Sequence, residues 1–425
     1  APAPLEVYRW GNAKGSNGPI DLAPGASTDF WTSQGFHYRF DGQQLGELSF
    51  KRQEPNRELR SVASDGGGGV LVVWEADKAV FLSRHDQDGR ELWSTPMGLA
   101  RRQIVKGGQA PNEIMPVAVT GGAADGTIHV SGWFQGCVDL AGGRQHRLVC
   151  ATRRNSGEPT SPELDGYPRV FFVNQYDRAG AWKRALVFEK FPRGSAASSP
   201  SSAVAVTGRW YTSREVELRA PGGAPLLHVP AQKAGAPLKS VLGLFRQDGR
   251  TIAVTELDAA RYTVVRSLSF DAADRLWLLV ESSPRLDLKE AGQLRLTVPG
   301  DHCLALLSRS GSEAGWEKQL VECSSEADLF SNLLFMAPAA DGRLILGNLP
   351  AEMAATVTLG SADGPEFARA RRNLALMVLT NGRPSWSLET SGVNHAVALA
   401  EGWVCFTQLT RINCVRPAKH VAPAP

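Results

Sequence analysis

The chain has 425 residues, of which 43% are hydrophobic and 21% are charged, and its formal net charge is +3. The apolar content is enough to bury a core over most of the chain, and the balanced charge argues against general nucleic-acid binding. No apolar run approaches the ~18 residues that a membrane-spanning helix needs. Glycine (43) and proline (26) are both frequent, which indicates many turns.

The predicted elements are short strands that recur as one unit. The unit starts with a strand, Ser/Thr-Gly and an aromatic residue, continues with a valine–acid–leucine segment and ends at Gly-Gly; its best copies are residues 128–143 and 204–223. Two further strands, joined by a glycine-containing turn and often carrying tryptophan, belong to the same unit. In chain order, turn-anchored strands start near residues 66, 126, 200, 274, 341 and 402, spaced by about 67 residues.

Four short antiparallel strands in each period are typical of a β-propeller. We therefore predict an all-β fold, one propeller domain over residues 1–425 with six four-stranded antiparallel blades. Both termini share the closing blade, because this removes a free sheet edge. Seven blades are the alternative, if the termini build two lean blades. The predicted blades are residues 61–115, 116–200, 201–263, 264–332 and 333–392, with 393–425 plus 1–60 as the closing blade.

The six cysteines fall into three local pairs, each bracketing one or two predicted strands and a turn: Cys137 and Cys150, Cys303 and Cys323, Cys405 and Cys414. Local pairing is the simplest of the possible connectivities and predicts three disulfides. Disulfides indicate an oxidising compartment, so we expect a protein of the cell surface, periplasm or surrounding medium whose signal peptide has been removed. None of the cysteines has a histidine at zinc-ligand spacing, and we predict no metal site.

Two segments resemble the bacterial SBBP-type β-propeller repeat: Val130–Phe134 with Val138–Leu140, and Val206–Trp210 with Val216–Leu218. Asp88–Pro96 is similar to blade repeats of the PQQ-like or BamB-like type. The resemblance implies a toroid that serves as an extracellular or envelope interaction platform. It implies no catalytic residues, and we expect no cofactor, since the adjacent cysteine pair of PQQ-dependent dehydrogenases is missing.

Several motifs have a simpler structural interpretation than a chemical one. Gly66–Gly69 precedes a strand and lacks the Gly-Lys-Ser/Thr of a phosphate-binding loop, so we interpret it as a turn. Asp86–Glu91 lacks the remaining ligands of a calcium loop and is interpreted as a hairpin turn. The eight histidines show no catalytic or metal-binding spacing.

The recurring tryptophans are expected to fill the gaps between blades. Trp133 and Trp210, directly after Ser/Thr-Gly, are the two weak candidates for ligand binding. Two long insertions rich in proline and glycine, Arg153–Arg169 and Leu226–Leu238, are the first candidates for recognition loops.

These features favour a non-catalytic extracytoplasmic binding or scaffold protein, which engages a protein partner in a surface or envelope assembly through a rigid propeller face and inserted loops. A carbohydrate-active enzyme, either a glycosidase or a lyase, with its site at the propeller mouth is one alternative. A lectin with aromatic-lined pockets between blades is another. Converging carboxylates beside exposed tryptophans would favour the enzyme, and a ring of buried tryptophans would count against the lectin.

Overall fold

Every regular element that the computed structural model describes is a β-strand. The strands form seven sheets of four or more strands, together with two separate hairpins. The described residues are 5–12, 22–24, 29–32, 37–40, 45–48, 58–76, 79–100, 104–105, 108–109, 113–121, 125–141, 148–150, 170–188, 195–210, 216–221, 224–229, 239–259, 261–283, 285–300, 303–310, 315–323, 334–339, 342–350, 359–360, 374–380, 383–390, 393, 395–399, 402–408 and 411–417.

The first strand, β1 (Leu5–Asn12), belongs to the last blade, and the next four strands form blade I. Blade I consists of β2 (Leu22–Pro24), β3 (Asp29–Thr32), β4 (His37–Phe40) and β5 (Leu45–Leu48). Blade II consists of β6 (Glu58–Ser64), β7 (Val70–Ala76), β8 (Ala79–His85) and β9 (Glu91–Ala100). A two-stranded hairpin follows, with β10 (Ile104–Val105) and β11 (Gly108–Gln109).

Blades III and IV each carry an inserted hairpin between their second and third strands. Blade III consists of β12 (Glu113–Thr120), β13 (Ile128–Gln135), β16 (Val170–Tyr176) and β17 (Trp182–Phe188), with β14 (Cys137–Asp139) and β15 (Leu148–Cys150) inserted. Blade IV consists of β18 (Ala196–Ser198), β19 (Val204–Trp210), β22 (Lys239–Phe245) and β23 (Thr251–Ala259), with β20 (Val216–Arg219) and β21 (Pro225–Val229) inserted.

Blades V to VII complete the ring. Blade V consists of β24 (Tyr262–Phe270), β25 (Arg275–Ser283), β28 (Cys303–Ser310) and β29 (Trp316–Cys323), with β26 (Leu286–Glu290) and β27 (Gln293–Val298) inserted. Blade VI consists of β30 (Phe335–Pro338), β31 (Arg343–Pro350), β33 (Leu374–Thr380) and β34 (Arg383–Thr390), with β32 (Leu359–Gly360) inserted. Blade VII consists of β35 (His395–Ala398), β36 (Val404–Gln408), β37 (Arg411–Pro417) and β1.

The innermost strands contact one another in a closed ring. Its order is β2, β6, β12, β18, β24, β30, β35 and again β2. The predicted propeller of four-stranded antiparallel blades is thereby confirmed. Residues 22–48, which the prediction placed in the closing blade, form a small sheet of their own between blades VII and II. The ring therefore holds the two lean terminal blades of the seven-blade alternative.

Both ends of the chain close the ring, as predicted. β1 is the outermost strand of blade VII and pairs antiparallel with β37, so that Leu5 lies opposite Pro417 and Val7 opposite Val415. The next two strands of this blade are joined by the disulfide Cys405–Cys414, which confirms that predicted pair. Both sulfur-bearing residues are buried in the blade.

The other two predicted cysteine pairs are consistent with the strand register. Cys137 and Cys303 are both disulfide-bonded. The antiparallel registers place Cys150 directly opposite Cys137 and Cys323 directly opposite Cys303. These two pairings remain predictions, because the side chains of Cys150 and Cys323 lie outside the described residues.

Inserted hairpins protect the outer edges of the preceding blades. β14 pairs with β9 of blade II, and β26 pairs with β23 of blade IV. The hairpin of blade IV instead packs on blade III, where the fully buried Leu218 joins a cluster with Phe171 and Phe188. An unpaired strand edge invites association with other chains, and these pairings remove such an edge from blades II and IV.

The two faces of the ring are built differently. Because neighbouring strands are antiparallel, the connections between first and second and between third and fourth strands lie on one face, which we call the short-turn face. The connections between second and third strands lie on the other, which we call the insertion face. On the short-turn face a five-residue turn recurs, for example with the Asp86 N–H bonded to the Arg90 carbonyl and the Gly89 N–H to the Asp86 carbonyl, both at 3.0 Å.

Candidate binding face

The long connections of the propeller are concentrated on one side of the insertion face. Blades III, IV, V and VI connect their second and third strands through residues 136–169, 211–238, 284–302 and 351–373. Blades I, II and VII use only residues 33–36, 77–78 and 409–410 for the same connection. The face is thus asymmetric, with four consecutive elaborated blades opposite three plain ones.

The predicted recognition loops are part of the long connections of blades III and IV, and most of their residues lie outside the described residues. Arg153–Arg169 lies wholly outside the described residues, between β15 and β16. Of Leu226–Leu238, residues 226–229 form part of β21, and residues 230–238 lie outside the described residues. Both connections leave and rejoin the described second and third strands at their insertion-face ends.

The inner strands begin at the axial opening of this face, and several start with an aromatic ring. Tyr262, Phe335 and His395 are the first residues of β24, β30 and β35, in three successive blades, and all three are half-buried. The rings of Phe335 and His395 are stacked, with centroids 5.8 Å apart and planes inclined by 8°. The Leu22 N–H donates to Nδ1 of His395 at 3.3 Å, which ties blade I to blade VII at the same rim.

A buried carboxylate orients two of the rim side chains. Glu281 is 4% exposed and lies near the insertion-face end of β25. Its Oε1 accepts a hydrogen bond from the Tyr262 hydroxyl at 2.9 Å, and its Oε2 accepts one from Nε of Arg266 at 2.6 Å. The Arg266–Glu281 ion pair is itself largely buried, so the guanidinium is held in one orientation.

Trp133, one of the two weak ligand-binding candidates, mainly contacts its own blade. Its ring is half-buried and meets Phe171 edge-on, with centroids 5.1 Å apart. It also packs against the cluster that holds the inserted hairpin of blade IV. The backbone of Trp210 ends β19, and its side chain lies outside the described residues. The structure does not bring the two rings into one site, and their role in binding stays a prediction.

Many of the other tryptophans are buried. Trp74, Trp277, Trp316, Trp386 and Trp403 are each less than 9% exposed. Their N–H groups also have internal partners where these are described; the Trp277 indole, for example, donates to Asp271 at 2.9 Å. Burial of the blade-equivalent rings counts against a lectin with repeated aromatic pockets.

Half-buried Trp93 shows how a ring fills the gap between blades. Its indole N–H in blade II donates to the Arg178 carbonyl of blade III at 3.1 Å. The ring lies so close to Gly180 that a Cβ there would approach it to 2.6 Å, and Gly180 has a φ of +79°. Only glycine satisfies both requirements.

Two motifs that resemble ligand loops are turns of the short-turn face. In Gly66–Gly69, the Asp65 carboxylate accepts the N–H groups of Gly67 and Gly69 at 2.7 and 2.9 Å, which leaves neither free for a phosphate. In Asp86–Glu91, the Asp86 carboxylate accepts the N–H groups of Asp88 and Arg90 in the same way. Among the residues whose positions are described, no group of three or more His, Cys, Asp or Glu side chains could hold a metal ion.

The ring of four-stranded blades defines the class of protein as a β-propeller. No helix in the described part of the chain is long and apolar enough to cross a membrane. No protein-family model matches the sequence, and no curated protein matches it either.

Solved structures similar to this chain include a streptogramin B lyase, with 10% identity, a TM-score of 0.46 and coverage of 97% of each chain. Another is YCF48 bound to a D1 peptide, with 11% identity, a TM-score of 0.41 and coverage of 98% of this chain and 97% of that one. A third is the WD40 β-propeller domain of Doa1, with 8% identity, a TM-score of 0.41 and coverage of 97% and 98%. At these values the comparisons carry no functional argument, and the propeller assignment rests on the sheet order itself.

Proposed function

We propose that this propeller is a non-catalytic extracytoplasmic binding or scaffold protein that engages a protein partner through its insertion face. The observation that carries the proposal is the asymmetry of the ring: blades III to VI bear all four long connections, and the short-turn face bears compact hydrogen-bonded turns. Loops on a rigid scaffold are the usual place for recognition.

The chemistry of the rim fits a protein partner. Tyrosine and arginine are enriched among the residues that dominate protein interfaces, and here Tyr262 and Arg266 are oriented by the buried Glu281. Ordering these side chains in the free protein lowers the entropy lost on binding. The disulfide Cys405–Cys414 supports a location in an oxidising compartment, at a surface or in an envelope assembly.

The test is capture of a partner from the source's envelope or culture fluid by the full-length, non-reduced protein, with mass spectrometry of the captured material and of its cross-links. We expect a stoichiometric protein whose cross-links map to residues 136–169, 211–238, 284–302 or 351–373. Replacing residues 153–169 by a short Gly-Ser linker, or Tyr262 by Ala, should lower the captured amount at least tenfold.

The matched control is Arg250→Ala on the short-turn face, where the side chain is 78% exposed. This variant should capture as much partner as the parent protein. Capture of glycan with no protein, or equal loss of partner in the control and in the two insertion-face variants, would overturn the proposal.

A further inference from the structure

A second polar cluster lies on the short-turn face, in the seam between blades III and IV. Strand β13 of blade III presents His129, and the neighbouring strand β16 presents Gln175 directly opposite it. The two side chains are 2% and 1% exposed. Residues directly opposite in an antiparallel pair point to the same side of the sheet, and here that side faces blade IV.

Gln247 covers this pair from the turn that joins the third and fourth strands of blade IV. Its backbone carbonyl accepts a hydrogen bond from Nε2 of Gln175 at 2.9 Å. Its side-chain amide donates to Thr127 at 2.7 Å and to Asp125 at 3.2 Å. The partly exposed Gln247 therefore covers His129 and Gln175, and its hydrogen bond links this cover to the exposed Asp125.

Two buried polar atoms in this seam have no hydrogen-bond partner among the described residues. They are Nε2 of His129 and Oε1 of Gln175. Leaving a buried acceptor unpaired costs roughly 1–3 kcal/mol, so buried polar groups normally have a partner. Directly opposite residues of an antiparallel pair have Cβ atoms about 4.5–5.5 Å apart, so the two atoms lie within the span of a single small ligand.

The charge of the seam selects the kind of ligand. Partial burial raises the pKa of Asp125, but hydrogen bonds from the Thr127 N–H at 2.9 Å and from Ser202 at 2.8 Å together outweigh it. The pKa therefore lies below the usual range, and the carboxylate is ionised at neutral pH. Burial lowers the pKa of His129 to about 4, which keeps its ring neutral there. The seam thus offers a carbonyl oxygen, a nearby negative charge and, with the ring proton of His129 on Nδ1, an acceptor nitrogen at Nε2.

We propose that the seam between blades III and IV is a binding site for a primary ammonium group, with Gln175 and His129 as acceptors, Asp125 as the counter-charge and Gln247 as the cover. A primary ammonium carries three N–H donors and no acceptor, which matches this set. The inference concerns the face opposite the proposed partner-binding face and does not depend on that proposal.

The test is titration of the full-length, histidine-ring-labelled protein with methylammonium chloride, followed by NMR. The His129 resonance is identified as the ring that stays neutral at about pH 5.5, where an ordinary histidine is largely protonated. Sodium chloride and tetramethylammonium chloride at equal ionic strength are the controls for salt and for a cation without N–H donors. We expect a saturable shift of the His129 signal with methylammonium alone.

Two variants and one matched control locate the site. Asp125→Asn, which removes the counter-charge, and Gln175→Met, which removes the acceptor, should each weaken methylammonium binding about tenfold or more. Asp274→Asn is the control, because Asp274 occupies the same face two blades further on and accepts the Ser201 N–H at 2.9 Å. This control should bind as the parent does. Circular dichroism checks that each variant is folded. If Asp125→Asn unfolds, the methylammonium affinity of Gln175→Met alone tests the proposal.

A lysine probe, Nα-acetyl-lysine methylamide, separates the two sources of an ammonium group. A response to both probes assigns the site to a lysine side chain of a partner, and a response to methylammonium alone assigns it to a free small amine. Equal shifts with all three salts, no shift at all, or a loss of binding in Asp274→Asn that equals the loss in Asp125→Asn would overturn the proposal and leave ordered water as the partner of the two buried atoms.

Discussion

At the scale of single residues, the burial of the His129 ring makes the stability of the fold depend on pH. Burial in the seam lowers the pKa of His129 to about 4. The negative charge of Asp125 acts in the opposite direction but is the smaller effect. The unfolded chain exposes the same ring with an ordinary pKa near 6.5. Between about pH 6.5 and pH 4 the unfolded state therefore binds a proton that the folded state does not bind.

We predict that folding stability falls as the pH decreases from about 6.5 to 4, with about 3 kcal/mol of this loss due to His129. The stability contribution of His129 is fully present above pH 6.5, because the ring is neutral there in both the folded and the unfolded protein. Urea unfolding of the parent and of His129→Gln at pH 7 and pH 4.5 measures the pH-dependent loss of stability. The variant should lose most of this pH dependence, and the exposed His228→Gln should retain it. An unchanged slope in His129→Gln would contradict the prediction.

At the scale of elements, the recurring valine–acid–leucine segment is the first strand of a hairpin that covers the preceding blade. In blade V it is Leu286, Asp287 and Leu288, and the two leucines are fully buried while the carboxylate accepts a hydrogen bond from Thr297 at 2.7 Å. Leu288 lies opposite Leu257 of blade IV. The alternation of apolar and acidic residues thus follows from one buried and one solvated side of the hairpin.

We predict that Leu288→Ala destabilises the protein by about 2–5 kcal/mol, because it leaves a cavity between the hairpin and blade IV. The same hairpin provides the control: Leu294 is 54% exposed, and Leu294→Ala should change stability by no more than about 0.5 kcal/mol. Chemical denaturation gives both values. Light scattering should also show more association for Leu288→Ala, whose covering hairpin is loosened. Equal effects of the two substitutions would refute this account.

The sequence predicts the strands and the propeller class well, because period-2 patterns and glycine turns are local signals. It leaves open whether residues 22–48 belong to a shared closing blade or to a lean blade of their own, because their strands are only three or four residues long. It misses the edge-covering role of β14, since the partner strand β9 is encoded far upstream. The seam of His129, Gln175 and Gln247 could not be predicted from the sequence either, because two strands and a turn that are far apart in the chain supply these residues. The only local signal is the pattern of turn residues around positions 125 and 247.

At the scale of the whole molecule, the ring depends on one blade made from both ends of the chain. Cys405–Cys414 crosslinks the two central strands of this blade, with nine residues of separation. We predict that the double substitution Cys405→Ala/Cys414→Ala lowers the free energy of unfolding by about 3 kcal/mol, through the larger conformational freedom of the unfolded chain.

Comparison of the stability losses of the single and double Cys→Ala variants separates the effect of the disulfide bond from that of side-chain packing. Each single Cys→Ala variant breaks the same bond, so each should lose nearly as much stability as the double variant. Guanidinium unfolding under non-reducing conditions measures all three. Losses that simply add up from the two single variants would show that side-chain volume, and not the bond, is responsible.

The pairing of Leu5 with Pro417 also sets an order of events during biosynthesis. The ribosome makes β1 before every other described strand, and it makes β37, with which β1 pairs, after all of them. The intervening blades can form as they emerge, and the outer edges of blades II and IV are covered once β14 and β26 have been translated, while β1 must wait until residue 417 has been made. Closure is thus a late, long-range step that follows synthesis of the described strands of every intervening blade.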